Sequence, residues 1–504
     1  MDSNFIIIGF VIAYMLICIW VGLWAMRRTK DTSDFFVAGR NLGVLVAGIA
    51  MFSSIMSGFG FVGGPGLVFK MGLSSFWILI STPIGFCLAF FLLAKPIRLI
   101  AEKRNSVSLP DIVDARFQSK TLRFHVSAAI LFGVVAYLAV QIKAMATVLR
   151  DIWNRLCESQ QWELMAETLL PFVIVSSAVL VFYCVTGGII ASVYTDLFQG
   201  IIMVIAAFLI FIAASMAVEG GFPEMARTIS EDDREAMGPW GTFGIIACLS
   251  WHFLFAFGVV GQPHVVTKLM MTKKLSDARG ALPLTIAGYS LAALLWIGIG
   301  LAMRTLVLQG EFDIANFESQ DSAAPQFLLN YVSPWLAGIV FAGLFAAIMS
   351  TADGFLNIGS AAVVHDLPRC FSDRPIDRQL LWARVATLVL AILSAVFAMV
   401  FPSKLLGMLG IFGFGVFAST LAPVFGFGLN WKHASPLAAI VSVQAGILIN
   451  VADLVNKLNG GAIPYGVAGG TIGLLVSSTV FIGISLFSKP KDTIPDDVAK
   501  IMDC

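Results

Sequence analysis

Thirteen apolar runs, most of them about twenty residues long, leave this chain few ways to fold. A helix of that length crosses the hydrocarbon of a bilayer. Lipid offers the backbone no hydrogen-bond partners, so only a segment that satisfies its own amides survives there. The runs, segments 1 to 13, cover residues 5–26, 45–69, 76–93, 125–149, 164–184, 196–218, 243–266, 282–307, 335–364, 381–401, 405–429, 436–451 and 467–487. Composition agrees. Of 504 residues, 58% are hydrophobic and 12% charged, whereas a soluble domain carries about 25% charged residues. So few charges cannot cover a soluble surface. The expected fold class is an all-α integral membrane protein with about 13 transmembrane helices.

The same composition argues against several functions. The net charge of +1 gives nothing for nucleic acid to bind. The seven cysteines lack metal or redox spacing, and Cys18, Cys87, Cys184 and Cys248 lie inside apolar runs, where a thiol behaves as a small hydrophobe. The five histidines, His125, His252, His264, His365 and His433, are scattered without ligand spacing, so no enzyme site is expected. Segment 1 has no basic start and no small-residue cleavage site, and reads as a retained span rather than a signal peptide. The tail after Phe487 is short and polar, so no attached soluble domain is expected.

Lys and Arg set the expected sidedness. The loops after odd-numbered segments, with the tail, hold 22 of the 32 basic residues, including Arg27, Arg28, Lys30, Arg40, Lys95, Arg98, Lys103, Arg104, Arg116, Lys120 and Arg123. The opposite side holds Lys70, Arg150, Arg155, Arg227, Arg234, Lys404 and Lys457, while Lys143, Arg304 and Arg384 fall within spans. This places the N-terminus outside and the C-terminus in the cytoplasm, in a multi-pass plasma-membrane protein.

Two segments are interrupted. Segment 2 carries SGFGFVGGPG from Ser57 to Gly66, glycines and a proline that should unwind a helix. Segment 7 carries GVVGQPH from Gly258 to His264, a weaker break. Segments 2 to 6 and 7 to 11 form two sets of five. An odd number of spans reverses the topology of the second set, and paired breaks in two such halves point to an inverted-repeat transporter. Gly and Pro kept for helix packing is the plainer reading. Unwound backbone frees carbonyl oxygens for a hard cation, which makes residues Ser53 to Met56 a candidate cation site.

The chain resembles the sodium:solute symporter family along nearly its whole length. The resemblance rests on GGPGLVFKMGL in segment 2, closest to the pantothenate and monocarboxylate branch, on GGIIASVYTDLFQG from Gly187 to Gly200, on GQPH from Gly261 to His264, and on AAIMST from Ala346 to Thr351. It implies a LeuT-type core of ten helices in a 5+5 inverted repeat. Residues 1–35 would be a peripheral N-terminal helix. Residues 36–430 would be the core, with repeats at about 42–220 and 241–430. Residues 431–504 would hold two further helices and a short tail. It also implies a sodium site from the carbonyls of Ser53, Met56 and Ala347 and the hydroxyls of Ser350 and Thr351. Spacing agrees, since 347, 350 and 351 share one helix face. Bonding of the two hydroxyls to the preceding turn is the rival reading.

Carboxylates inside spans are costly and mark function by default. Family members also suggest a second cation or proton site at Asp196, Ser350 and Asp353. Against this, Asp196 would be a helix N-terminal residue and Asp353 a structural hydrogen-bond acceptor. The proline carriers of the family have an Asp where this chain has Ile55, and the sugar carriers' acidic residue has no counterpart in residues 76–82. Expected solute contacts are Gln141 and Lys143 in segment 4, Ser57 and Gly60 at the first break, and Trp251, His252 and Gln262 in segment 7. A snorkelling Lys143 and a packed His252 are the plainer alternatives, as is core packing for Phe412, Phe414 and Phe417 against a gating role.

The resemblance thus implies a sodium-coupled symporter that imports a small organic solute, a monocarboxylate or pantothenate-like anion, by alternating access. It needs no cofactor beyond sodium as coupling ion, and its partners would be that solute, sodium and membrane lipid. Proton coupling, an amino-acid substrate and a transporter-like sensor stand as alternatives.

Overall fold

The computed structural model describes residues 3–26, 32–163, 168–317, 319–372, 376–400, 406–488 and 494–503. Arg27, Arg28, Lys30, Arg374, Lys404, Lys489 and Lys491, counted above for sidedness, lie outside them. Among the described residues the structure is helical, with one isolated parallel bridge between Leu42 and Thr272.

In chain order the main helices are α1 (Ser3–Met26), α2 (Val44–Ile55), α3 (Gly64–Met71), α4 (Phe76–Arg104), α5 (Leu109–Phe117), α6 (Lys120–Gln160) and α7 (Leu170–Ala217). The second half holds α8 (Gly244–Gly258), α9 (Pro263–Met271), α10 (Leu275–Ala292), α11 (Leu294–Leu308), α12 (Pro334–Ala361), α13 (Gln379–Val400), α14 (Leu406–Gly426), α15 (Pro436–Leu458) and α16 (Gly469–Phe487). Among the described residues, eleven helical stretches are long and apolar enough to cross a membrane; shorter apolar helices are Val44–Ile55 and Leu170–Phe182.

Both breaks fall where the glycines and prolines put them. α2 ends at Met56, whose ψ of 82 leaves the helical region, and a π-helical turn at Phe59–Gly63 leads into α3. α8 passes through a 3₁₀ turn at Val259–Gly261 to Gln262, whose ψ of 104 is extended, before α9 starts with a proline at N1. Gly64 is required by packing. A Cβ there would lie 2.1 Å from the ring of Trp296, which rests on the backbone.

Several boundaries differ from the sequence reading. Segments 5 and 6 share the single 48-residue helix α7. Asp196 is therefore an interior residue, not a helix N-terminal one. The basic residues assigned to loops are partly helical. Arg98 lies in α4 at 5% exposure and Lys268 in α9 at 1%. α9 runs past the expected end of segment 7, because after Pro263 the rest of it, HVVTKLMM, contains no further breaker. The guanidinium of Arg98 donates to the carbonyls of Thr272 and Lys273, both at 2.7 Å. It thereby holds the chain as it leaves α9. The Leu42 amide donates to the Met271 carbonyl at 3.0 Å and the Lys273 amide to the Leu42 carbonyl at 2.9 Å, joining the start of α2 to the end of α9.

Candidate functional site

The expected sodium ligands come from α2 and α12. α2 unwinds at Met56, so the carbonyls near its end lose their partners four residues on. α12 crosses it with Ala347, Ser350 and Thr351, all fully buried. The hydroxyls of Ser53 and Ser350 lie 2.8 Å apart. Thr351 Oγ1 donates to the Ser54 carbonyl at 2.9 Å and lies 3.1 Å from the Ala347 carbonyl. The structure thus brings Ser53, Ser350, Thr351 and Ala347 together and adds Ser54. Met56 sits at the break itself, with its amide bonded to the Phe52 carbonyl.

Of the second expected cluster, Asp196 and Ser350 are neighbours, but Asp196 is already partnered. Its Oδ2 accepts from Lys268 Nζ at 2.6 Å. Asp353, fully buried, accepts from Ser192 Oγ at 2.8 Å, one turn before Asp196 along α7. The sequence reading left Lys268 in a loop. The signal available was a lone lysine in an otherwise apolar run just past a break.

The solute candidates divide. Gln141 Oε1 accepts from the Gly58 amide at 2.8 Å, which fixes the orientation of its amide. One turn earlier, Tyr137 reaches Ser57 Oγ at 3.3 Å. Tyr137 and Gln141 therefore form the α6 face that meets the first break. Tyr137 carried no sequence signal beyond lying four residues before Gln141. Lys143 is turned about 200° from Gln141 around α6. It is buried at 3% exposure, while the α6 face at the break is made by Tyr137, Gln141 and Ala144. Gly60 lies in the π turn, where a Cβ would be 2.9 Å from the Met56 sulfur. Trp251 packs on Phe243, and His252 Nδ1 bonds Ser81 Oγ at 2.8 Å with its ring against Trp77. Neither is at a break. Gln262 is, and its Nε2 donates to the carbonyls of Gly258 and Phe414 at 3.2 and 3.1 Å. Phe412, Phe414 and Phe417 are buried, with Phe414 stacked on Phe255 and Phe417 on Phe355. This is core packing.

Gln141 Nε2, Gln262 Oε1 and both ring nitrogens of His264 are buried without a hydrogen-bond partner. Leaving a buried polar atom unmatched costs about 1–3 kcal/mol, so such atoms at a helix break suit a polar ligand. His264 lies beside Tyr137, with ring centroids 6.3 Å apart.

A separate charged cluster closes the basic end. Asp111 accepts from Arg123, from His365 Nε2 at 2.9 Å and from the Val107 amide at 2.9 Å; Asp366 accepts from Ser108 and from Arg123 at 3.3 Å. Asp111, His365 and Asp366 are close enough to hold a metal, but the guanidinium of Arg123 already supplies the positive charge. Burial alone would raise the Asp111 carboxyl. The hydrogen bond and charge of His365 and the charge of Arg123 outweigh it and hold the group well below the ordinary carboxylate range.

The model of the sodium:solute symporter family matches residues 35–446. The chain belongs to this family. It is 28% identical over 457 residues to the sodium/proline symporter of Escherichia coli (strain K12), covering 86% of this symporter and 85% of that protein. The sodium/pantothenate symporter of the same strain is 26% identical over 458 residues, covering 88% and 90%. A Na+-coupled sialic acid symporter, solved in a substrate-bound outward-open state, superposes with a TM-score of 0.77 at 20% identity over 97% of this chain and 99% of that one. MhsT in complex with L-phenylalanine gives 0.53 at 11% identity, over 88% and 98%. Such likeness shows the fold, which is the LeuT type. This symporter is a multi-pass membrane protein that couples solute import to sodium.

Proposed function

We propose that this symporter carries sodium between the end of α2 and the middle of α12, and beside it a small carboxylate-bearing solute. The sodium ligands are the carbonyls of Ser53, Met56 and Ala347 and the hydroxyls of Ser350 and Thr351. The observation that carries the reading is the contact of the Ser53 and Ser350 hydroxyls, next to the carbonyl-bonded Thr351, where α2 unwinds. Hydroxyl and carbonyl oxygens in a water-poor interior are what a hard cation needs to leave its hydration shell.

The solute class follows from the breaks and from the relatives. The N-terminal ends of the π turn that leads into α3 and of α9 both lie at the breaks, and helix N-termini favour anions. Proline, pantothenate and sialic acid, named for the relatives and the structural neighbour, share a carboxylate. Gln141, Gln262 and His264 are the proposed polar contacts, and a monocarboxylate or pantothenate-like acid is the favoured solute. Residues 36–430 form the transport core and residues 431–504 the peripheral end. The basic end faces the cytoplasm, in the plasma membrane.

Uptake of labelled pantothenate, lactate and proline into proteoliposomes tests this. At least one carboxylate should accumulate when sodium is high outside, and not when potassium replaces it. Accumulation driven by a pH gradient and indifferent to sodium would overturn the reading.

A further inference from the structure

Lys268 is a buried charged side chain at the second break to which this reading of the site gives no task. It sits in α9, the second half of a broken helix, at 1% exposure. An ammonium has three donors and no acceptor, and here all three are used. Nζ donates to the Ala50 carbonyl at 2.7 Å, to Asp196 Oδ2 at 2.6 Å and to the Ser54 hydroxyl. The partners come from α2 and α7, so this single group joins both to the broken helix of the second repeat.

A carbonyl, a hydroxyl and a carboxylate make the oxygen shell that an alkali ion would take. The shell also shares its wall with the proposed sodium site. Ser54 gives its hydroxyl to Lys268 and its carbonyl to Thr351. Ser350 touches Ser53 and lies beside Asp196. A second free cation at Asp196 would face the ammonium across that carboxylate, and Asp353 is engaged by Ser192.

We propose that Lys268 is a built-in cation that fills the position of a second coupling ion at Asp196, so that this symporter binds one sodium per cycle. The inference rests on the sodium site placed at Ser53–Thr351. Removing the ammonium while keeping Asp196 should open a second site; removing both charges should close it again.

The test counts sodium directly, without a solute. Binding of ²²Na+ to purified full-length protein gives the number of ions and the Hill coefficient, which rises at most to the number of sites. Wild type should bind one ion with a coefficient of about 1. Lys268→Met should bind two, with a coefficient moving toward about 2, and Lys268→Met/Asp196→Asn should return to one. Lys268→Gln, which keeps a donor but no charge, replaces the Met variant if that does not fold, and Lys268→Arg should stay at one. Two ions in wild type, or one ion in folded Lys268→Met or Lys268→Gln, would overturn the proposal. Failure of the underlying site looks different: Ser350→Ala/Thr351→Ala would then bind sodium as wild type does.

Discussion

The Ser53–Ser350 contact shows how little chemistry a coupling ion needs. Two hydroxyls and a few freed carbonyls suffice, provided that no water competes. Losing one charge-assisted oxygen costs about 1.5–3 kcal/mol. Thr351→Ala and Ser350→Ala should therefore each raise the sodium concentration for half-maximal uptake roughly tenfold to a hundredfold, read from sodium titrations of initial uptake rates. Gln141→Leu should act on the solute instead. It leaves the Gly58 amide without its acceptor and removes the unmatched Nε2, so the solute KM should rise roughly tenfold in uptake assays at saturating sodium. At this scale the sequence was legible where a motif and a helical spacing coincided, as for Ala347, Ser350 and Thr351. It was not legible for Lys268 or Tyr137. Their partners are remote in the chain, and no periodicity reports a contact between residues 268 and 196.

Helices and their ends show the next level. The glycine and proline breaks in segments 2 and 7 were visible because those residues alter backbone freedom locally, whatever surrounds them. The joining of segments 5 and 6 into α7 was not visible, since the stretch between them, VTGGIIASVYT, is apolar enough to continue a helix and polar enough to suggest a loop. Lys143 falls away from the Gln141 face for a related reason. Two residues along a strand share a face, but two along a helix lie nearly opposite, so Gln141 and Lys143 could not both look at the break. The cluster that ties α5 to α6 and to the end of α12 carries its own prediction. The Asp111 carboxyl is held below its unfolded value. Its stabilisation is therefore present above about pH 3.9 and lost as pH falls through the folded value. Asp111→Asn should lower the thermal unfolding temperature most at neutral pH. The gap to wild type should narrow below about pH 4, measured by intrinsic tryptophan fluorescence in detergent.

For the whole molecule, the asymmetry of basic residues predicts what faces where. Glu102, exposed at the end of α4, and Glu231, exposed before α8, are expected on opposite sides. In a background without cysteines, Glu231→Cys should react with an impermeant maleimide on intact cells. Glu102→Cys should react only after permeabilisation. The reverse pattern would turn the molecule over in the membrane. Spans were readable because a bilayer imposes one simple rule on every residue. The identity of the solute was not, because it depends on a few atoms whose arrangement no span-scale rule governs.

The grip of Arg98 on the carbonyls beyond α9 has a mechanical meaning. A nine-residue helix is a stiff rod about 13 Å long. With its far end pinned by a guanidinium and by backbone pairing at Leu42, any tilt that frees Lys268 would turn the rod about that end rather than slide it. A tilt of a few degrees at the anchor becomes an ångström at Gln262, so the anchored end sets the fulcrum and the broken end makes the stroke.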